Sequence, residues 1–447
     1  MPFYKILFQT KPTDGADEAP AASTNAAPFV EAIHQARRNL RRRQEICQLI
    51  SPGAVRQARR LQNWVRFPRM LERVYVRGYE NLPLRSEPAP ILALSHKKIH
   101  DVAAIVELIA GRPFERFHDI TLIAQAGLFS AMYAYRDMIP LFCKRGLSGT
   151  LLRPAAIFLA HRAGDFLRRT FSDVNAFPVY REGRDIPTCE EDFRNPTFAG
   201  PRITGRSYAD FVKFANRETR HSLIRVQQDM EDLNRMFFIM PEGGYRHSGA
   251  VAPLHDFLGV FAYRKQARTV FGSLSYDELC PDRLGRISAF INLHAPTPPP
   301  AAKNDVEIFL ARGRRDLARN TVLLASHLFA TIAYEYLENE TSFRASDLGN
   351  RFEKECAALI AAAKFDSSGI VFDPGLEERS YREERLRRFI RHGLRRYFRR
   401  VGRGRFQISR KRLEGYARSE RTVNDIEWNR NQARHFYETR DFQNPAE

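Results

Sequence analysis

Cysteine is scarce in this sequence. Five are scattered through 447 residues, at Cys47, Cys143, Cys189, Cys280 and Cys356, with no C-x-x-C pair. That spacing argues against a disulfide framework and against a thiolate zinc site, and it fits a reducing compartment. Long apolar runs are missing too. The longest, "TVLLASHLFATIAY" from Thr321 to Tyr334, falls short of the ~20 residues needed to span a bilayer. The opening "MPFYKILFQTKPTDGADEAPAASTN" lacks an apolar core long enough for a secretory signal. Acidic residues do not balance the basic ones: 52 Asp and Glu stand against 71 Lys and Arg, a formal net charge of +19. No internal repeat stands out.

The surplus of positive charge predicts an anionic partner, whether nucleic acid, an acidic membrane face or a phosphorylated ligand. Most of it is arginine, whose planar fork pairs with phosphate. The plainer reading of the arginine is a compositional bias of the genome. The chain has no recognisable nucleic-acid reader, and its arginines fall on helices with apolar faces rather than between stacking aromatics. Nucleic acid is therefore not the expected partner. Apolar residues make up 43% of the chain, enough for a substantial core.

Four regions follow from the patterning. Residues 1–27 read as a flexible lead rich in Ala, Pro, Asp and Thr. Residues 28–80 read as a basic helical region, with Leu61, Trp64, Val65, Leu71 and Val74 as its stripe and Pro68 as a break. Within it, "ERVYVRGYENLP" alternates like a short strand and turn. Residues 81–311 alternate short apolar runs with helical stretches. "ILALS", "DITLIAQ", "AFPVY", "MFFIM", "TVFGSLS" and "RISAFINL" are strand-like; 102–110, 151–170 and 207–236 are helix-like. That alternation predicts an α/β domain with a largely parallel mixed sheet flanked by helices. Residues 312–447 read as a helical, Arg-rich extension. Glu378 to Arg412 carries fifteen Arg and Lys against three Glu. There Leu386, Phe389, Ile390, Leu394, Tyr397, Phe398 and Val401 share one helical face, which suits either a membrane interface or the protein core.

Three stretches can carry chemistry. In "PILALSHKKIHD", His96 lies just past a strand and Asp101 at the start of a helix. Ligands of open α/β sheets gather outside the carboxyl ends of strands. Five positions apart is wrong for two groups on one helix face, but it works if His96 precedes the helix. The carboxylate can then orient the imidazole as a general base. On spacing alone the plainer reading leads: Asp101 caps the helix and His96 is a polar loop residue. A metal triad of His96, His100 and Asp101, with His247 or His255 recruited, has no supporting partner motif, and no metal is expected. In "FFIMPEGGYRHSG", Glu242 can accept from substrate hydroxyls and Arg246 can bind phosphate. Gly243 and Gly244 let backbone N–H groups approach an anion. In "NAFPVYREGRD", Arg181 ends another apolar strand. Each stretch alone also reads as an ordinary turn.

Taken in order, "VYVRGYENLP…PAPILALSHKKIHD", "NAFPVYRE", "MFFIMPEGGYRHSG" and "GSLSYDEL" resemble the glycerolipid acyltransferase superfamily, over roughly residues 74–300. His96 and Asp101 match its H-x(4)-D block, Arg181 its basic strand end, and Pro241, Glu242 and Gly243 its P-E-G turn. Lys144 or Arg145 competes with Arg181 for the second role, and Tyr245 displaces the usual arginine by one position to Arg246. The resemblance implies acyl transfer from acyl-CoA or acyl carrier protein to glycerol 3-phosphate, with no other cofactor. His96 would be the base and Asp101 its orienter; Arg181, Glu242, Gly243, Gly244 and Arg246 would hold the acceptor. "EGG", "SLSYDEL" and "RFQISRKRLEGYARS" lean towards glycerol-3-phosphate acyltransferases, with lysophosphatidate or dihydroxyacetone phosphate as the alternative acceptor. More distant readings are a basic nucleic-acid-binding protein or an inactive membrane scaffold. The expected location is cytoplasmic, peripheral on the inner face of the membrane, with an anionic membrane surface as partner. Lys97 and Lys98 are expected to gather the anionic substrate.

Overall fold

Apolar runs bounded by polar turns become strands because a buried backbone must pair its own N–H and C=O groups. The computed structural model describes residues 71–126 apart from 99–100, 102–103, 106, 109–113 and 117, residues 175–194 apart from 182–184, and residues 207–244, 248–365, 370–415 and 423–443. The lead, and the helices expected before residue 71 and over 151–170, lie outside the described residues. The described residues divide into two compact units, one covering 118–239 and the other 71–117 with 240–443.

In the first unit, β3 (Ile120–Gln125) lies between β4 (Ala176–Val179) and β5 (Met236–Ile239), all parallel. Helix α1 (Glu190–Arg194) is short, and α2 (Tyr208–Leu233) is the long helix expected there. Ser207 starts α2 by accepting from the Asp210 N–H at 3.2 Å, and Asn234, in the left-handed region, ends it. Phe211, Phe214 and Ala215 of α2 pack with Tyr180, Ile186 and Phe193.

In the second unit the strand order is β1 (Leu71–Arg77), β7 (Ile287–Leu293), β6 (Thr269–Tyr276), β2 (Ile91–Leu94). β1 runs parallel to β7 and β2 parallel to β6, while β6 and β7 are antiparallel. The class is α/β, largely parallel, as the alternation predicts. Strands β2, β6 and β7 are buried throughout; β2 is an unbroken apolar run, while β6 and β7 also bury Thr269, Ser273, Ser275, Ser288 and Asn292. Each fully buried Val, Leu, Ile or Phe contributes about 1.5–3 kcal/mol. Leu71 and Val74 belong to β1 rather than to a helical stripe: from Glu72 on, the burial of this strand alternates residue by residue.

Helices α3 (Asp256–Lys265), α4 (Val306–Arg319), α5 (Ala325–Glu338), α6 (Ala345–Phe365), α7 (Arg379–Arg396), α8 (Arg410–Gly415) and α9 (Asp425–Gln443) complete this unit. The extension is not all helical. β8 (Phe343–Arg344), β10 (Arg405–Ile408) and β9 (Phe398–Gly402) form an antiparallel sheet in that order. The apolar stripe of α7 faces the core: Phe389 is fully buried and stacks on Phe329 at 4.5 Å, with Leu386, Ile390 and Leu394 beside it. The stripe also stops at Arg396, so Tyr397, Phe398 and Val401 are not on that helix. Among the described residues no helix is long and apolar enough to cross a membrane.

Two histidines of this unit make stability pH-dependent. Burial, helped by the nearby Lys97 ammonium, pushes His327 of α5 down to about 3, and burial pushes His294 down to about 4. Unfolded histidine titrates near ~6.5, so below that pH the unfolded chain takes up protons that the native chain refuses. Stability is complete above pH ~6.5 and is lost as pH falls toward these depressed values. Urea midpoints should therefore decline steadily as pH is lowered from about 7.5 to 4.5, and His327→Gln should flatten the decline.

Candidate active site

The chain leaves β2 at Leu94 and forms a loop before Asp101 opens the next helix. Ser95 fixes the start of this loop. It is fully buried, its N–H donates to the Gly272 carbonyl at 3.0 Å, and its hydroxyl accepts from the Leu274 N–H at 2.9 Å. β6 runs past the end of β2, since Leu94 is level with Gly272 and β6 continues to Tyr276.

The Asp101 carboxylate turns back over the loop. Oδ2 accepts from His96 Nδ1 at 2.7 Å, from the Lys97 N–H at 2.6 Å and from the Lys98 N–H at 3.0 Å. Oδ1 accepts from the Tyr276 hydroxyl at 2.5 Å. The five-residue spacing works because His96 precedes the helix. Asp101 is helical, and these backbone bonds come from the upstream loop amides. Burial alone would raise the Asp101 pKa; the His96, Tyr276 and Lys98 bonds outweigh it and hold the carboxyl below its ordinary value, so it is an anion. A carboxylate only accepts, so the shared proton sits on His96 Nδ1 and the lone pair is left on Nε2. About a fifth of the His96 side chain (20%) reaches solvent, while Asp101 does not.

Lys97 and Lys98 do not match the expected substrate-gathering role. Each is only 2% exposed. Lys97 Nζ donates to Gln432 Oε1 on α9. Lys98 Nζ is 3.3 Å from Glu278 Oε1 and 4.3 Å from the centre of the Tyr276 ring. Both ammonium groups support the loop from behind.

The turn after β5 stands against the same loop. Glu242 Oε2 accepts from the His96 N–H at 3.4 Å. Gly243 needs its lack of a side chain, with φ at +66°. Its N–H donates to the Met240 carbonyl at 3.1 Å, so it closes the turn instead of facing an anion. Gly244 has ordinary backbone hand and open space where a Cβ would sit. His255 donates its N–H to the Pro241 carbonyl at 2.8 Å. Helix α9 braces the far end of this segment. Asn431 Nδ2 donates to the Ser248 carbonyl at 2.8 Å, and Gly249 packs so closely that a Cβ would lie 2.2 Å from the Trp428 carbonyl oxygen.

The second unit thus brings His96, Asp101, Glu242 and Gly243 together. Arg246, His100 and His247 lie outside the described residues, as do Lys144 and Arg145. Arg181 belongs to the first unit, just past β4. Its Nη2 donates to Gln125 Oε1 at 2.6 Å, and its Nε lies 3.7 Å from Asp185 Oδ2. Gln125 Nε2 donates to Asp185 Oδ1 at 2.8 Å, closing a small network around the guanidinium. No cluster among the described residues is arranged to hold a metal ion. Sequence reasoning missed Tyr276. The signal was the "YDE" that closes this strand, but only the β2–β6 register shows that this end overhangs the His96 loop.

No protein-family model matches the chain. No curated protein matches it either. In structure it is similar to the 1-acyl-sn-glycerophosphate (LPA) acyltransferase, PlsC, from Thermotoga maritima, at 15% sequence identity, with 64% of this chain and 90% of that chain covered and a TM-score of 0.30. A likeness at that score carries no argument about substrate.

Proposed function

We propose that this protein is an acyltransferase that moves a fatty acyl group from a thioester to a hydroxyl of glycerol 3-phosphate. The observation that carries the reading is the 2.7 Å bond between partly exposed His96 and buried, anionic Asp101. A histidine fixed in that tautomer is a general base. Nε2 takes the proton of the acceptor hydroxyl, whose oxygen attacks the thioester carbonyl. The tetrahedral oxyanion collapses, the C–S bond breaks, and His96 returns the proton to the departing thiolate. The products are a glycerol ester and a free thiol; the protein itself is not acylated. Asp101 stabilises the imidazolium formed midway, as a buried carboxylate does in other histidine-based sites. Acyl-CoA or acyl carrier protein is the donor, and no further cofactor is required.

Glu242, held by the His96 amide, is suited to accept from an acceptor hydroxyl. Arg181, Gly244 and Arg246 take phosphate-binding roles in this proposal by resemblance alone, and substitution of either arginine by Gln should raise KM for a phosphorylated acceptor. The working place is the cytoplasmic, anionic face of a membrane, a reading supported by the net charge of +19.

The test is a panel of glycerol 3-phosphate, lysophosphatidate and dihydroxyacetone phosphate, each with both donors. Ester formation from glycerol 3-phosphate ahead of the other two is the expected result. A different preferred acceptor would correct the substrate only. Liposome binding without acylation of any acceptor would replace the enzyme by a scaffold, and steep salt-dependent nucleic-acid binding without acylation would replace both.

A further inference from the structure

We propose that Tyr276 is a positioning residue which fixes Asp101 and thereby sets the basicity of His96, with Lys98 holding the phenol in place. The inference rests on the reading of His96 as the base, but its geometry lies one step behind the motif. Tyr276 is fully buried at the end of β6, and its hydroxyl lies 2.5 Å from Asp101 Oδ1, the oxygen that His96 does not use. The two carboxylate oxygens are thereby divided between two tasks. Oδ2 receives His96 and the loop amides; Oδ1 receives the phenol.

That division has two consequences. Two anchors on opposite oxygens stop the carboxyl group from rotating, so the His96 ring plane follows the strand end. The phenol also draws negative charge away from Oδ2 and so weakens the pull of the carboxylate on an imidazolium. The Lys98 ammonium, 4.3 Å from the ring centre, strengthens the phenol as a donor, and Glu278 at 3.3 Å balances that ammonium. Burial and the Asp101 charge push the Tyr276 pKa well up, so the hydroxyl keeps its proton at any working pH. Among the described residues, the charged and titratable groups around the pair are His96, Lys98 and Glu278, with Glu242 on the His96 amide and Lys97 behind the loop.

The experiment is an NMR titration of the His96 imidazole in the full chain, its signal assigned by loss in His96→Gln. In Tyr276→Phe the midpoint should rise by about 0.5–1 pH unit, because the carboxylate then attracts the imidazolium more strongly. The acid limb of kcat/KM should shift upward by the same amount. Adding Tyr276→Phe to Asp101→Asn should leave the midpoint where Asp101→Asn alone puts it, since the phenol acts through the carboxylate. An unchanged midpoint in folded Tyr276→Phe would overturn the proposal, as would an equal rise on the Asp101→Asn background. The titration needs no turnover, so it separates failure of this inference from failure of the acyl-transfer reading, which would appear as an absence of ester product in the parent chain.

Discussion

His96→Ala is expected to lower acyl transfer by about 10²–10⁴-fold, the usual worth of a positioned general base. KM for the acceptor should change little, because proton removal belongs to the transition state and not to ground-state binding. The variant should also fold. Asp101 keeps its bonds from the Lys97 and Lys98 amides and from Tyr276, so its buried charge stays satisfied. Steady-state kinetics with the preferred acceptor, paired with a melting curve, measures both halves. Near-normal turnover in a variant of parental stability would remove His96 from the mechanism.

The largest loss of stability should come from Arg385→Met, about 3–5 kcal/mol, the cost of stripping one partner from a buried ion pair. Arg385 on α7 lies 3.2 Å from Asp277 Oδ2, and both side chains are almost wholly buried. Its guanidinium also donates to the Tyr381 hydroxyl at 2.5 Å and lies 4.4 Å from the centre of that ring. Ser326 continues to bond Asp277 Oδ1 in the variant, but Oδ2 faces the core without its cation. Adding Asp277→Asn removes the stranded charge and should recover a substantial part of the loss. Urea unfolding of the two variants gives the numbers. A cost below about 1 kcal/mol for Arg385→Met would mean that α7 is not docked through this pair.

Part of this architecture is legible in the residues themselves. The runs "ILAL", "AFPV" and "MFFI" are buried at every position, and a strand covered on both faces has no polar alternation to hide it. His96 and Asp101 are legible as a pair because a strand end and a helix start bracket them. Two things are not. Along "RLRRFIRHGLRRYFRRV" the spacing of apolar residues continues a helix, yet the chain turns at Tyr397, whose N–H donates to the Gly393 carbonyl, and Phe398 packs onto Gly393. The overlooked cue is "GRG", which joins β9 and β10 through the short link Arg403–Gly404. Helical spacing also suggests a membrane-facing stripe, because apolar periodicity records that a face is covered without recording by what. The lysines mislead for a similar reason. A Lys-Lys pair in a loop normally reads as solvated, and only tertiary partners, Gln432 and Glu278, explain why these two are inside.

Lys97 and Gln432 are 335 positions apart in the chain. During synthesis at roughly 5–20 residues per second, the histidine loop therefore emerges tens of seconds before its rear support exists. Until α9 arrives, the Gln432 amide is not there to take the Lys97 ammonium, and the segment around Gly249 has no helix to lean on. A chain broken off short of α9 would contain every recognisable motif and still lack the brace behind them. Completeness of translation is in that sense written into the site.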